Sequence, residues 1–291
     1  MHFSLIKLTL GGSGTTASVF DDAILPVYYA LQRLGFTVEI RLNDVNPHSR
    51  NIIFGSCNFP NEVSAAIPRD STVFNFEQLT ARNSWVGSEY MRHLAMFDVW
   101  DYSPGNVLFL KDTMGLSNVV CVRLGYVPEM TRSHYSGPQD VDVLFYGTIS
   151  DRRRAVLQKL SDAGVNVAIL QRMYGAERDA WIARSKIVLN IHLYQPAILE
   201  VVRLGYLWAN KKTILSEYGP DTERPPELAG ACRYSAYGEL VEAATDLLAD
   251  DKARKKQALA GFTAFSSMSL TDELKSIVGK RTFIANASAS V

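Results

Sequence analysis

The sequence predicts an α/β protein with two domains, each built on a parallel sheet, and three observations carry that prediction. Short apolar runs rich in β-branched residues alternate with segments of helical periodicity. The alternation runs its course twice, and a stretch rich in Pro, Gly, Ser and polar residues, VPEMTRSHYSGPQD, separates the two passes. The length, 291 residues, suits two domains of ordinary size. Strand–helix alternation puts parallel strands in the middle and helices on both faces. The expected architecture is two Rossmann-like domains over 1–127 and 141–291, joined by a linker at 128–140, with their sheets facing across a cleft.

Taken in order, residues 3–10 read as a strand and 11–14, Gly-Gly-Ser-Gly, as a tight loop. Helical periodicity over 16–34 runs through Val19, Ala23, Val27, Ala30 and Leu34, and Gly35 supplies the cap. Strands are expected at 36–42, 51–57, 72–79, 99–103 and 119–126, with helices over 84–97 and 105–114. In the second pass, strands are expected at 141–147, 165–170, 186–191, 213–216 and 232–235. The helices between and after them fall at 151–163, 176–185, from about Pro196, 238–249, 252–265 and 270–278.

Composition narrows the function. The chain is 47% hydrophobic and 21% charged, enough apolar residue for real cores. Thirty basic residues balance thirty acidic ones, which argues against bulk electrostatic binding of nucleic acid. Cys57, Cys121 and Cys232 are far apart and in no metal-like spacing, so they read as buried thiols of a reducing compartment. The first residues form a strand leading into glycines rather than a signal peptide, and no apolar run reaches membrane-spanning length. The expected setting is cytoplasmic, with peripheral membrane association at most.

The richest stretch is 186–217, KIVLNIHLYQPAILEVVRLGYLWANKKTILSE. It reads as strand, polar loop, helix, strand. Asn190, His192 and Tyr194 arrive where the strand should end. Ile198, Leu199, Val202 and Tyr206 make an apolar stripe, and Glu200 and Arg203 share another face. Ligands of open α/β sheets sit beyond the carboxyl ends of strands, facing helix N-termini. Polar residues crowded at that point favour a bound anion.

Other motifs admit two readings each. Gly12 and Gly14 open G-x-G-x-x-A at 12–17, and Glu39 is expected to end the next strand, which fits a dinucleotide fingerprint. A glycine turn chosen for close packing gives the same letters. Asp140 and Asp142 form D-x-D but open a strand, at the end away from the expected site, so no metal site is predicted. The run Arg152-Arg153-Arg154 enters the first turn of a helix, where cations oppose the helix dipole. That suits a nearby diphosphate, for which guanidinium is fitted, or a solvated basic face. Asn75–Leu79 places polar residues, Glu77 among them, at a first-domain strand end.

Leu199–Gly205, LEVVRLG, resembles the L-E-A-M-A-C-G segment of the group 1 glycosyltransferase domain, a GT-B fold family. The phasing matches: Leu, Glu, four helical residues, Gly, then a strand. FYGTISDRRR at 145–154 is similar to the strand and loop that meet the donor diphosphate in that family, and Gly11–Gly14 sits where GT-B enzymes have a glycine loop. NFEQL at 75–79 and VWDYSPGN at 99–106 resemble, more loosely, transferases of bacterial surface-polysaccharide clusters. In the family a second glutamate lies eight residues before the first, as E-x7-E, and here that position is His192.

The resemblance implies a metal-independent glycosyltransferase moving a sugar from a nucleotide-sugar to a glycan, lipid-linked or small-molecule hydroxyl acceptor, with retention favoured. Gly12, Gly14, Arg152, Arg153, Asn190, Tyr194 and Glu200 would bind the donor; His192 and Glu77 would be catalytic. No cofactor, metal or nucleic-acid partner is implied. An NAD(P)-dependent oxidoreductase using 12–17, and a non-catalytic nucleotide-sugar-binding module, are the competing expectations.

Overall fold

A computed structural model describes residues 1–9, 18–58, 67–79, 88–132, 137–193, 198–220 and 222–288. Gly12, Gly14 and Tyr194 lie outside these residues. The chain divides into two compact units, Met1–Val127 with Ser269–Val291, and Pro128–Met268.

Unit 1 holds six parallel strands: β1 (His2–Lys7), β2 (Thr37–Leu42), β3 (Arg50–Phe54), β4 (Thr72–Asn75), β5 (Asp98–Asp101) and β6 (Val119–Cys121). They lie in the order β2-β1-β3-β4-β5-β6, so the winding reverses between β1 and β3. Helix α1 (Asp21–Arg33) follows β1, α2 (Ser88–Met96) precedes β5, and α3 (Pro104–Leu108) follows it. Ser103 caps α3 by accepting from Asn106 N, and Pro104 takes the first turn. Ile6, Ile53, Val73 and Val99, one per strand, meet Leu94 and Phe97 in the core.

Unit 2 holds β7 (Val141–Tyr146), β8 (Val167–Leu170), β9 (Ser185–Asn190), β10 (Ile214–Glu217) and β11 (Arg233–Ser235), all parallel, in the order β11-β10-β9-β7-β8. Here the winding reverses between β7 and β9. The helices are α4 (Asp151–Asp162), α5 (Gly175–Arg184), α6 (Val201–Ala209), α7 (Leu240–Ala249) and α8 (Asp251–Ser266). Ser150 caps α4 by accepting from Arg153 N. Gly205 lets α6 press on α8: a Cβ there would stand 2.9 Å from the Phe265 ring.

The structure departs from the sequence-based expectation at four places. The C-terminal helix α9 (Leu270–Ser288) packs on α1 in unit 1, whereas 141–291 was expected to be one domain. It is tied there by Leu270 N donating to Tyr126 O at 3.2 Å and Arg123 N donating to Glu273 at 3.1 Å. The expected linker is stitched to unit 2: Asn210 Nδ2 donates to Met130 O at 2.9 Å and Thr131 Oγ1 to Ala209 O at 2.9 Å. Strand β4 stops at Asn75, because its side chain turns to bond the chain beyond it. The helix expected from about Pro196 starts at Val201, since Ile198 bridges Glu223 and Leu199 N donates to Glu223 O at 3.0 Å, in extended chain. No helix among the described residues is long and apolar enough to cross a membrane.

Candidate functional site

The carboxyl edge of the unit 2 sheet gathers charge that its strands alone do not need. Asn190 ends β9, Ser216 and Glu217 end β10, and Tyr146 ends β7. Asn190, fully buried, donates to Glu200 Oε2 at 2.8 Å and to Ser216 Oγ at 3.1 Å. Its Oδ1 has no hydrogen-bond partner. Glu200 is the residue before α6, so its carboxylate sits at the positive end of the helix dipole.

His192 and Glu200 form a pair. His192 Nδ1 lies 3.0 and 3.1 Å from the two carboxylate oxygens, and the ring is 2% exposed. Burial alone would drive the ring neutral, but the hydrogen bond and charge of Glu200, then the charge of Glu217, outweigh it and raise the His192 pKa. Burial likewise works against the Glu200 carboxylate, yet His192, Asn190 and the Arg203 charge hold its pKa down to about 2. Both shifts favour the imidazolium–carboxylate form of this pair at the lip of the sheet. His192 N also donates to Glu217 Oε2 at 3.0 Å, and the outer ring nitrogen lies 3.5 Å from Thr222 Oγ1.

The arginine run has three different fates. Arg152 closes a two-pronged bond on Glu217, with Nη1 at 2.6 Å from Oε2 and Nη2 on Oε1, and also donates to His192 O at 3.1 Å. Its guanidinium stacks on Tyr237, 4.0 Å from the ring centre. Arg153 is 5% exposed and spends its donors on main-chain carbonyls: Nε and Nη2 on Ile191 O at 3.0 and 2.7 Å, and Nη1 on Thr148 O at 2.7 Å. Burial first, then the neighbouring Arg203, lowers its pKa to about 10. Arg154 is largely solvent-exposed. The run thus sews the loop after β7 to the ends of β9 and β10.

Arg203, in the first turn of α6, has a different setting. It lies over Tyr146, 4.6 Å from the ring centre, and its Nη2 stands 2.6 Å from where a Cβ on Gly147 would be. Gly147 has φ +132°, a conformation L side chains avoid. Arg203 Nη1 is buried with no hydrogen-bond partner among the described residues.

Solved structures that superpose on the chain identify the architecture. WaaG, a glycosyltransferase involved in lipopolysaccharide biosynthesis, superposes with TM-score 0.60 at 11% identity, over 95% of this chain and 99% of that one. Anabaena Alr3699/HepE, in complex with UDP and glucose, gives TM-score 0.59 at 11% identity, covering 99% of both chains. T4 phage BGT, in complex with UDP-glucose, gives 0.57 at 12%, over 97% of this chain and 98% of that one. The chain has the GT-B fold. No protein-family model matches its sequence. Two uncharacterized proteins of Acanthamoeba polyphaga mimivirus resemble it in part: L140, 31% identical over 122 residues, and L137, 26% identical over 152. The matched regions are 41% and 52% of this chain but only 39% and 20% of those proteins.

Within this GT-B chain, the unit 1 candidates sit at the carboxyl edge of its own sheet. Asn75 Nδ2 donates to Asp101 Oδ2 at 2.6 Å and to Glu77 O at 2.9 Å, while its Oδ1 accepts from Glu77 N at 3.0 Å. Asn106 Nδ2 donates to Glu77 O at 2.8 Å and to Asp101. The backbone of Glu77 is thereby clamped. Its carboxyl accepts from the Cys57 thiol at 3.1 Å, and burial raises its pKa.

Two motifs are held by their own neighbours. Glu39 is the third residue of β2, not its end; it accepts from Ser4 Oγ at 2.5 Å and Asn46 Nδ2 at 2.7 Å, bonds that lower its pKa. Asp140 pairs with Arg184, and Asp142 with Lys186 at 2.7 Å, at the amino end of β7. The described residues contain no cluster of three or more His, Cys, Asp or Glu suited to a metal ion. The sequence analysis gave no site role to Glu217 or to Arg203. Both carried a usable signal: Glu217 ends a strand as Asn190 does, and Arg203 shares the helix face of Glu200.

Proposed function

We propose that this chain binds a nucleotide-sugar at the carboxyl edge of the unit 2 sheet and transfers the sugar to a hydroxyl acceptor. The observation that carries the reading is the Asn190–His192–Glu200 cluster, a charged and incompletely satisfied group at a topological switch point. The GT-B fold supports it, as do neighbours whose structures hold UDP-glucose, or UDP and glucose. In this reading the Glu200 carboxylate accepts from the two ribose hydroxyls. Asn190 and Tyr194 line the donor, and protonated His192 donates to the sugar or a phosphate. Gly12 and Gly14, outside the described residues, keep the donor-binding role that the family resemblance implies.

The reaction breaks the bond from the anomeric carbon to the phosphate oxygen and forms one to the acceptor oxygen. The leaving diphosphate gathers negative charge, which guanidinium, imidazolium and the α4 and α6 N-termini stabilise without reorganisation. The acceptor, a glycan, lipid-linked or small hydroxyl compound, is assigned to unit 1, and Glu77 is the group proposed to take its proton. Retention is favoured by the E-x7-E likeness, and no metal is required by this scheme. Cys57, Cys121 and Cys232 are free thiols, in keeping with a cytoplasmic setting.

A second reading, a nucleotide-sugar-binding module without turnover, is favoured by one observation: His192 occupies the first E-x7-E position and is already paired with Glu200. Calorimetric titration with UDP, GDP, CDP and NAD separates donor binding from dinucleotide binding. Release of free sugar from the matching nucleotide-sugar then separates transferase from module. Binding of NAD and of no nucleoside diphosphate would sink the proposal.

A further inference from the structure

We propose that Arg203, rather than the arginine run opening α4, is the cation that holds a phosphate group, bound over Gly147 at the end of β7. The identity of the natural ligand rests on the donor reading above; the anion site itself rests on the following geometry. Of Arg152, Arg153, Arg154 and Arg203, the first is closed on Glu217, the second on the carbonyls of Ile191 and Thr148, and the third faces water. Arg203 alone of these four keeps a buried N–H group, on Nη1, without a partner. A buried charged donor left unmet is costly, so a site that keeps one is built for something that arrives later.

Charge points the same way. The cations Arg152, Arg153 and Arg203 stand near the carboxylates Glu200 and Glu217, three against two, before His192, whose pKa is raised, is counted. A surplus of positive charge is what a diphosphate would neutralise. Local shape agrees. Gly147, at φ +132°, leaves the loop backbone bare beneath the guanidinium, where a Cβ would strike Nη2 at 2.6 Å. The Tyr146 ring backs the guanidinium plane at 4.6 Å. This spot lies where the winding reverses between β7 and β9, the position at which open α/β sheets take ligands. Asn190 Oδ1, buried and unpartnered, adds an acceptor for a hydroxyl of the same ligand.

The test uses the whole chain and four probes: inorganic pyrophosphate, UDP, GDP and CDP. Arg203→Gln should weaken pyrophosphate at least tenfold by calorimetry. Arg203→Lys, which keeps the charge but not the planar fork, should fall between it and the wild type, and it serves if the glutamine variant does not fold. Arg154→Gln should bind as the wild type does. Thermal unfolding of each variant confirms that folded protein is compared. Pyrophosphate bound equally by the wild type and a folded Arg203 variant overturns the assignment. If nucleotides also bind these variants normally, the donor reading survives that failure. If pyrophosphate binding depends on Arg203 but no nucleotide binds better than pyrophosphate, the anion site stands and the donor reading falls. A wild type that binds none of the probes overturns both.

Discussion

The two parallel sheets end in polar clusters of opposite character. At the carboxyl edge of unit 1, one carboxylate, Asp101, is met by neutral donors: Asn75 Nδ2, Asn106 Nδ2 and, at 2.8 Å, Ser103 N. Tyr90 OH closes the group by donating to Asn75 Oδ1 at 2.5 Å. At the carboxyl edge of unit 2 the groups are charged, and two of their polar atoms, Arg203 Nη1 and Asn190 Oδ1, have no partner. The first cluster spends its hydrogen bonds on holding chain in place, chiefly the backbone of Glu77. The second holds charge in reserve. Equivalent positions in one topology thus carry a neutral cluster that holds chain in place and a charged one that joins three strand ends.

The largest effect should come from Arg152. Sequence reasoning makes it a diphosphate ligand; its bonds make it the counter-ion of Glu217, whose side chain is only 4% exposed. Arg152→Ala leaves that carboxylate without its counter-ion and should cost about 3 kcal/mol of stability, as breaking a buried pair from one side does. Urea unfolding measures it, and the Arg152→Ala/Glu217→Gln double variant should recover part of the loss. If instead stability holds and only nucleotide affinity falls, Arg152 belongs to the ligand and the contrast between scaffold and reserve has been drawn in the wrong place.

Unit 1 gives the complementary test. Asp101→Ala removes the acceptor shared by two amides and a backbone N–H, and should cost on the order of 2 kcal/mol. Nucleoside diphosphate affinity of the folded protein should not change. A matching loss of affinity would mean that the unit 1 cluster is not merely scaffold for Glu77.

Glu200→Gln probes the reserve itself. The amide keeps the shape but loses charge and acceptor capacity. A nucleoside diphosphate should bind about tenfold more weakly, near 1.4 kcal/mol, and discrimination between ribose and 2′-deoxyribose should shrink. Calorimetry with UDP, GDP, CDP and the deoxy form of whichever binds will show it. Unchanged affinity and unchanged deoxy discrimination would remove Glu200 from the ribose.

Much of this was legible in the sequence, and what was not has a physical cause. Strand–helix alternation and the loop at 127–140 foretold two parallel α/β units, because period and punctuation are local signals. The destination of the last helix was not legible, since its apolar face, Leu270, Leu274 and Val278, fits any apolar surface. It is the bonds to Tyr126 and Arg123 that settle it on unit 1. Position along the chain singled out Asn190, His192 and Glu200, and the structure joins the three by hydrogen bonds. The roles of the arginines were not, because a run of like residues says nothing of which carbonyl or carboxylate each will meet. Arg152 and Arg153 are consumed by partners distant in sequence, Glu217 and Ile191, and only three-dimensional contact separates them from Arg203.

The smallest effect, and the subtlest, is in pH. His192 has a folded pKa above its ordinary 6.5, so its contribution to stability is complete below that value and is lost as pH rises through the higher folded one. Glu200 has the opposite shift, from 4.5 to about 2, so its contribution is complete above 4.5 and is lost as pH falls through about 2. The ion pair therefore works fully only between about pH 4.5 and 6.5, a window set by those two shifts. Above it the imidazole turns neutral and Glu200 keeps Asn190 and the Arg203 charge as its support. Urea midpoints should thus be higher near pH 6 than near pH 9 by an amount that His192→Gln removes, roughly 0.5–1 kcal/mol given that Glu200 is a quarter exposed. The same variant should flatten the acid limb of the profile, because Glu200, with fewer partners to depress its pKa, then has less stability to lose as pH falls. A wild type and a His192→Gln variant with parallel midpoints from pH 6 to 9 would show that the ring is buried neutral and that its titration does not touch the fold of unit 2.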